Sequence, residues 1–94
     1  RGMRMIEQWL IQNGFHHDGA TRVVAHGVRT YDNTKKSVAF TGGRQRYRNG
    51  NVFVTVGKRT TCVYRKESGV ITTSENFNSN DFDTIKKYIL DMFV

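Results

Sequence analysis

The sequence predicts an α+β fold, an antiparallel β-meander of four to five strands flanked by an N-terminal and a C-terminal helix. Three observations carry that reading. Apolar residues recur at helical spacing near both ends of the chain. The stretch between them switches to short runs rich in Val, Thr, Tyr and Phe. Turn dipeptides punctuate those runs, and proline is absent. With 94 residues and 37% apolar side chains there is material for one modest core, so a single domain over 1–94 is expected.

The first helix is expected over 3–12, where Ile6, Trp9 and Leu10 fall at i, i+3 and i+4 and make one apolar stripe. Arg1 and Gly2 are read as lying ahead of a natural start at Met3. Asn13-Gly14 ends the helix, because glycine readily takes the left-handed conformation needed there, and Phe15 is placed to fold back as the cap's apolar contact. Strands are expected at roughly 20–31, 36–48, 51–57, 59–66 and 70–74, divided by Asp32-Asn33, Asn49-Gly50, Gly57-Lys58 and Ser68-Gly69. Asn49-Gly50 signals a type I′ hairpin turn, whose two central residues both need positive φ, and Gly57-Lys58 suits a type II′ turn with glycine first. Gly42-Gly43 marks a bulge or bend in the second strand. Asn78, Ser79 or Asn80 caps the last helix, with Asp81 and Asp83 in its first turn, where the helix dipole favours negative charge. Phe82, Ile85, Ile89, Met92 and Phe93 form its buried stripe.

The formal net charge is +7 and the isoelectric point is near 10.0. It is unevenly placed. Residues 35–66 hold Lys35, Lys36, Arg44, Arg46, Arg48, Lys58, Arg59, Arg65 and Lys66 and no Asp or Glu. The remainder carries six basic and all eight acidic residues, a net of −2. A single-sign field of this kind concentrates anions and speeds encounter with polyanions. A membrane-surface role fits less well, because the charge falls in strands and not on an amphipathic helix. No apolar run approaches the ~18–20 residues of a membrane span, and no signal-peptide pattern opens the chain. One cysteine excludes an internal disulfide framework and a Cys-based zinc site, and an intracellular location is expected.

Side chains alternate faces along a strand, so the two tight turns sort the central residues. With Asn49-Gly50 and Gly57-Lys58 as two-residue loops, Arg48 pairs with Asn51, Tyr47 with Val52 and Phe53 with Cys62. One face then collects Tyr47, Val52, Val54, Val56, Thr61 and Val63, which a helix would cover. The other collects Arg44, Arg46, Arg48, Asn51, Phe53, Thr55, Thr60, Cys62, Tyr64 and Lys66. Cations interleaved with Phe53 and Tyr64 suit nucleic acid, since guanidinium groups bind phosphates bidentately and aromatic rings stack on unpaired bases. Lys36, Arg44, Arg46, Tyr47, Arg48, Phe53, Lys58, Arg59, Tyr64 and Lys66 are the expected contact residues, with 42–50 as the leading element. The competing arrangement packs Phe53 beneath the second helix and leaves the arginines guarding a sheet edge.

Other chemistry is thin. His16-His17-Asp18 reads as a polar loop; a metal site there needs further ligands. His26 reads as a half-buried structural histidine, with an acid–base role in RNA cleavage as the alternative. Arg59 and Arg65 would activate Cys62 if it were exposed, but a buried small hydrophobe is expected. Glu67 and Glu75 are isolated turn acids, and no GxxxxGK[ST] or GxGxxG pattern occurs. Trp9 is expected in the core, or else as an exposed partner anchor. No cofactor or metal is expected.

Ile6-Glu7-Gln8-Trp9-Leu10-Ile11-Gln12-Asn13-Gly14-Phe15 resembles the opening helix and turn of HicA-type toxins, small ribonucleases with a helix, three strands and a helix. The resemblance covers about ten residues. Ala25-His26-Gly27 stands where that family carries a Gly-Ser-His motif, and the meander is longer, so the activity does not carry over. The expected function is non-enzymatic nucleic-acid binding, DNA or RNA. The alternatives are a small inhibitor or adaptor docking an acidic protein surface, and a small ribonuclease using His26 or His17.

Overall fold

The alternation in the central strands decides where both helices go. The computed structural model describes residues 4–24 and 40–94. The elements in order are α1 (Met5–Gln12), β1 (His16–Val24), β2 (Phe40–Asn49), β3 (Val52–Val56), β4 (Thr60–Glu67), β5 (Val70–Asn78) and α2 (Phe82–Asp91). The strands form one antiparallel sheet ordered β1-β2-β3-β4-β5, flanked by the two helices, which is the expected α+β meander.

Tyr47, Val52, Val54, Val56 and Val63 form one core cluster with Ile6, Leu10, Phe15, Ile85 and Ile89. Both helices therefore cover the same sheet face. α1 begins after Arg4, whose N–H donates to Glu7 Oε1 (2.8 Å), one half of a capping box. It ends in a Schellman motif: Phe15 N–H donates to the Leu10 carbonyl and Gly14 N–H to that of Ile11, with Gly14 at φ 90°. Phe15 is buried there, as expected of the cap contact. α2 starts after Asp81, later than the three cap candidates; Asn78 Oδ1 instead accepts from the Asn80 N–H (2.8 Å). Ser79 ties this junction to the sheet, donating from N–H to the Arg59 carbonyl and from Oγ to that of Gly57. Phe93 lies beyond α2, half-exposed, edge-on to Phe15.

Several boundaries differ from expectation. His16-His17-Asp18 is strand, not loop, because backbone pairing with β2 needs no apolar side chains and a bulge at Asp18-Gly19, with Gly19 at φ 85°, absorbs an extra residue. A second bulge lies on β2 between Phe40 and Gly43, where Gly42-Gly43 indicated one. β5 continues to Asn78, past 74. The stretch 25–39, with Asp32-Asn33, His26, Lys35 and Lys36, lies outside the described residues.

Both hairpin registers slip by one residue along the chain. Asn49 pairs with Val52, so the loop is Gly50-Asn51; Gly50 has φ 64° and Asn51 does not share the positive φ, the type II′ pattern. Only glycine has to be strained in this turn, whereas a type I′ turn would force Asn49 across as well. Gly57 precedes the Lys58-Arg59 loop and donates to the Thr60 carbonyl (3.0 Å). A Cβ at Gly57 would lie 2.9 Å from that carbonyl oxygen and 3.1 Å from Arg44 Cγ, so space and not φ demands glycine there. Tyr47 now pairs with Val54 and Phe53 with Tyr64. Moving a two-residue loop by one position changes partners by two, which preserves every residue's face.

Glu7 is the one acid in the core among the described residues. It is 2% exposed, and its Oε2 accepts from the Tyr47 hydroxyl (3.0 Å). Tyr47→Phe leaves that buried oxygen without this donor, at a cost of about 1–3 kcal/mol. A lower urea midpoint at unchanged m is expected; an unchanged midpoint would show the bond to be dispensable. Leu10→Ala, at a fully buried position, should cost about 2–5 kcal/mol in the same assay.

Candidate functional site

The face opposite the helices carries the charge. Arg44, Arg46 and Arg48 alternate with the core-facing Gln45 and Tyr47 on β2, and Lys66 joins them from β4. Both α1 and α2 pack on the other side, so Phe53 does not lie under the second helix. It is nevertheless only 7% exposed. Tyr64 stacks on it at 5.1 Å between ring centroids and 6° between planes. The Arg48 guanidinium lies 4.9 Å and the Lys66 ammonium 5.2 Å from its centroid. Opposite each other across the strands, Arg48, Phe53 and Tyr64 form a continuous row.

The row changes the role of the aromatics. Phe53 has its surface engaged and offers no platform to a base. It supports the cations instead, since a ring face attracts an ammonium or guanidinium and lets it be held with little exposed carboxylate nearby. Arg48 is fixed further by donating from Nε to the Gly50 carbonyl (2.9 Å). Arg46 donates from Nε to the Asp18 carbonyl (3.0 Å) and pairs with Asp18 Oδ2 at 3.3 Å. The β1 bulge therefore puts one acid at the edge of the basic face. Arg44 passes over Gly57. Lys58 and Arg59 are exposed in the turn beyond it.

Burial pushes the Tyr64 phenol above its ordinary value of 10.0, and the charge of Arg46, which also hydrogen-bonds the phenol, opposes that shift. Cys62 is half-buried on this face, with Sγ 3.7 Å from Ser74 Oγ, and is not the core residue expected.

At the Arg48 end is a concavity of about 340 Å3, walled by Arg46, Arg48 and Lys66, with Asp18, Asn51 and Ser68 on its rim and Phe53 beneath. Ser68, with φ 54° beside Gly69 at 81°, forms the turn from β4 to β5. Asp18, Asn51 and Ser68 were not among the expected contact residues. A polar turn residue carries no signal of its own until the hairpin ends are brought beside the cations.

Tyr47 and Arg65 lie apart from this face. Tyr47 is 3% exposed and bonded to Glu7 beneath α1. Arg65 donates from Nη2 to the Met92 carbonyl (2.5 Å), where its charge favours the C-terminal end of α2. His17 also points to the helix side, with Nε2 2.7 Å from Gln45 Oε1 and its ring edge-on to Tyr47. No helix among the described residues is long and apolar enough to cross a membrane. No protein-family model matches the chain, and no curated protein or solved structure is significantly similar to it.

A raised phenol pKa means that the folded state holds its proton more tightly than the unfolded state. The resulting stability is complete below about pH 10, the unfolded value, and is lost as pH rises through the folded value. The difference between the ultraviolet titrations of the parent and Tyr64→Phe should therefore show a phenol ionising above 10.0. Arg46→Ala should move it higher still; a fall would contradict the assigned balance of burial and charge.

Proposed function

We propose that the protein is an intracellular, non-enzymatic nucleic-acid-binding protein that holds the phosphate backbone on the sheet face opposite α1 and α2. The observation that carries this reading is the alignment of Arg44, Arg46, Arg48 and Lys66 on one side of the sheet, while both helices occupy the other. Lys58 and Arg59 extend the surface past Arg44. Arginine forks suit phosphate oxygens. Because Phe53 is already stacked, contact is to backbone and not to bases, so recognition is largely independent of sequence. Tyr47 takes no part.

One observation favours a second reading, docking on an acidic protein surface. Val70 and Ile71 are 62% and 52% exposed on the hairpin beside Lys66, and apolar groups next to cations suit a protein interface.

The test is a mobility-shift series with single- and double-stranded DNA and RNA across salt concentrations. Affinity should fall steeply with salt, with log K against log salt losing about 0.7 of slope per phosphate neutralised on single strands and about 0.9 on duplex DNA. Arg44/Arg46/Arg48→Ala should cut affinity and flatten the slope by about 2–3, with the circular dichroism of the parent retained. Unchanged binding by the triple variant would refute the proposal. Absence of oligonucleotide binding by the parent, with stoichiometric capture of one acidic protein, would favour the second reading.

A further inference from the structure

The concavity at the Arg48 end differs from the rest of the basic face. Along β2 the arginines form an open row, but here Arg48 of β2 and Lys66 of β4 face each other across Phe53, and the turn carrying Ser68 closes one side. A row can follow a strand of phosphates, whereas cations gathered from two strands around one concavity can converge on a single phosphate group. We infer that this concavity is a site for a phosphate monoester, the terminal phosphate of a nucleic-acid strand. The inference rests on the nucleic-acid reading for the source of the phosphate, though not for the chemistry of the site.

Charge decides between a terminal and an internal phosphate. Arg46, Arg48 and Lys66 bring three positive charges, and Asp18 removes one through its pair with Arg46. The remaining two match a phosphate monoester, which carries about −1.5 to −2 near neutral pH, better than an internal diester with a single negative charge. Arg48 and Lys66 have no carboxylate partner among the described residues. Both are held by the Phe53 ring, so little reorganisation is needed to receive an anion. Asn51 and Ser68 add neutral hydrogen-bonding residues to the lining. The volume, about 340 Å3, leaves room for the sugar that bears the phosphate.

Fluorescence anisotropy with one oligonucleotide, carrying either a terminal phosphate or a terminal hydroxyl, tests the assignment. The phosphorylated form should bind about tenfold more tightly, the worth of one charge-assisted contact. Lys66→Met should bring the ratio of the two affinities to about one. Arg48→Gln should do the same, which guards against a folding defect in either variant. Equal affinities of the parent for the two forms would overturn the terminal-phosphate site while leaving backbone binding intact. Failure of both oligonucleotides, with a thermal shift from a nucleoside monophosphate that Lys66→Met removes, would uphold the site and refute the polynucleotide reading. No response to oligonucleotide or monophosphate would overturn the site.

Discussion

Two helices sharing one face of a sheet is the constraint on which the rest of the structure depends. Val52, Val54, Val56 and Val63 supply an apolar surface broad enough for both α1 and α2, so Ile6 and Leu10 meet Ile85 and Ile89 over the same strands. Among the described residues, the second face of the sheet carries no helix. Whatever alternates with those valines must tolerate water or pack on itself. Arginine and lysine satisfy the first requirement, and the Phe53–Tyr64 stack satisfies the second. The cationic face is thus the other half of the core's own alternation. Ser79 and the buried Glu7–Tyr47 bond hold the helices to that arrangement through polar contacts that a purely apolar interface would leave unspecified.

The fold was legible because its strongest signals were periodic. Gly14 and Phe15 marked the end of α1, and the faces of the paired strand residues of β3, with those of Tyr47, Arg48 and Thr60 to Val63, followed from alternation. The exact turns were not legible. Asn49-Gly50 and Gly57-Lys58 both contain a glycine that the structure uses, but a dipeptide does not reveal whether glycine stands first in the loop, second or just outside it. At Gly57 the demand comes from Arg44 and Thr60, which are neighbours only in the folded sheet. The slip did no harm to the face assignment, because it displaced partners by an even number.

The candidate site was readable in outline, and its inner organisation was not. Arg44, Arg46, Arg48 and Lys66 share a face, as alternation requires. Phe53 appeared from sequence to be a stacking platform, yet cross-strand pairing with Tyr64 and Arg48 covers it and turns it into a support. Asp18 looked like part of a polar loop, yet a bulge in β1 carries it to Arg46. Arg65 belonged to the basic run but faces the other way, toward the end of α2. In each case the missing information was a contact between strands distant in sequence, which charge counts do not contain. The proposed function rests accordingly on the placement of four side chains on the face opposite α1 and α2, more than on the net charge.

That placement can be read in solution through the arginine side chains. The Nε–Hε resonances of Arg44, Arg46 and Arg48 should move together in a nuclear magnetic resonance titration with a short oligonucleotide, while that of Arg65, held against α2, stays in place. Movement of Arg65 with Arg44, Arg46 and Arg48 unchanged would contradict the account, because it would put the bound strand on the helix side of the sheet.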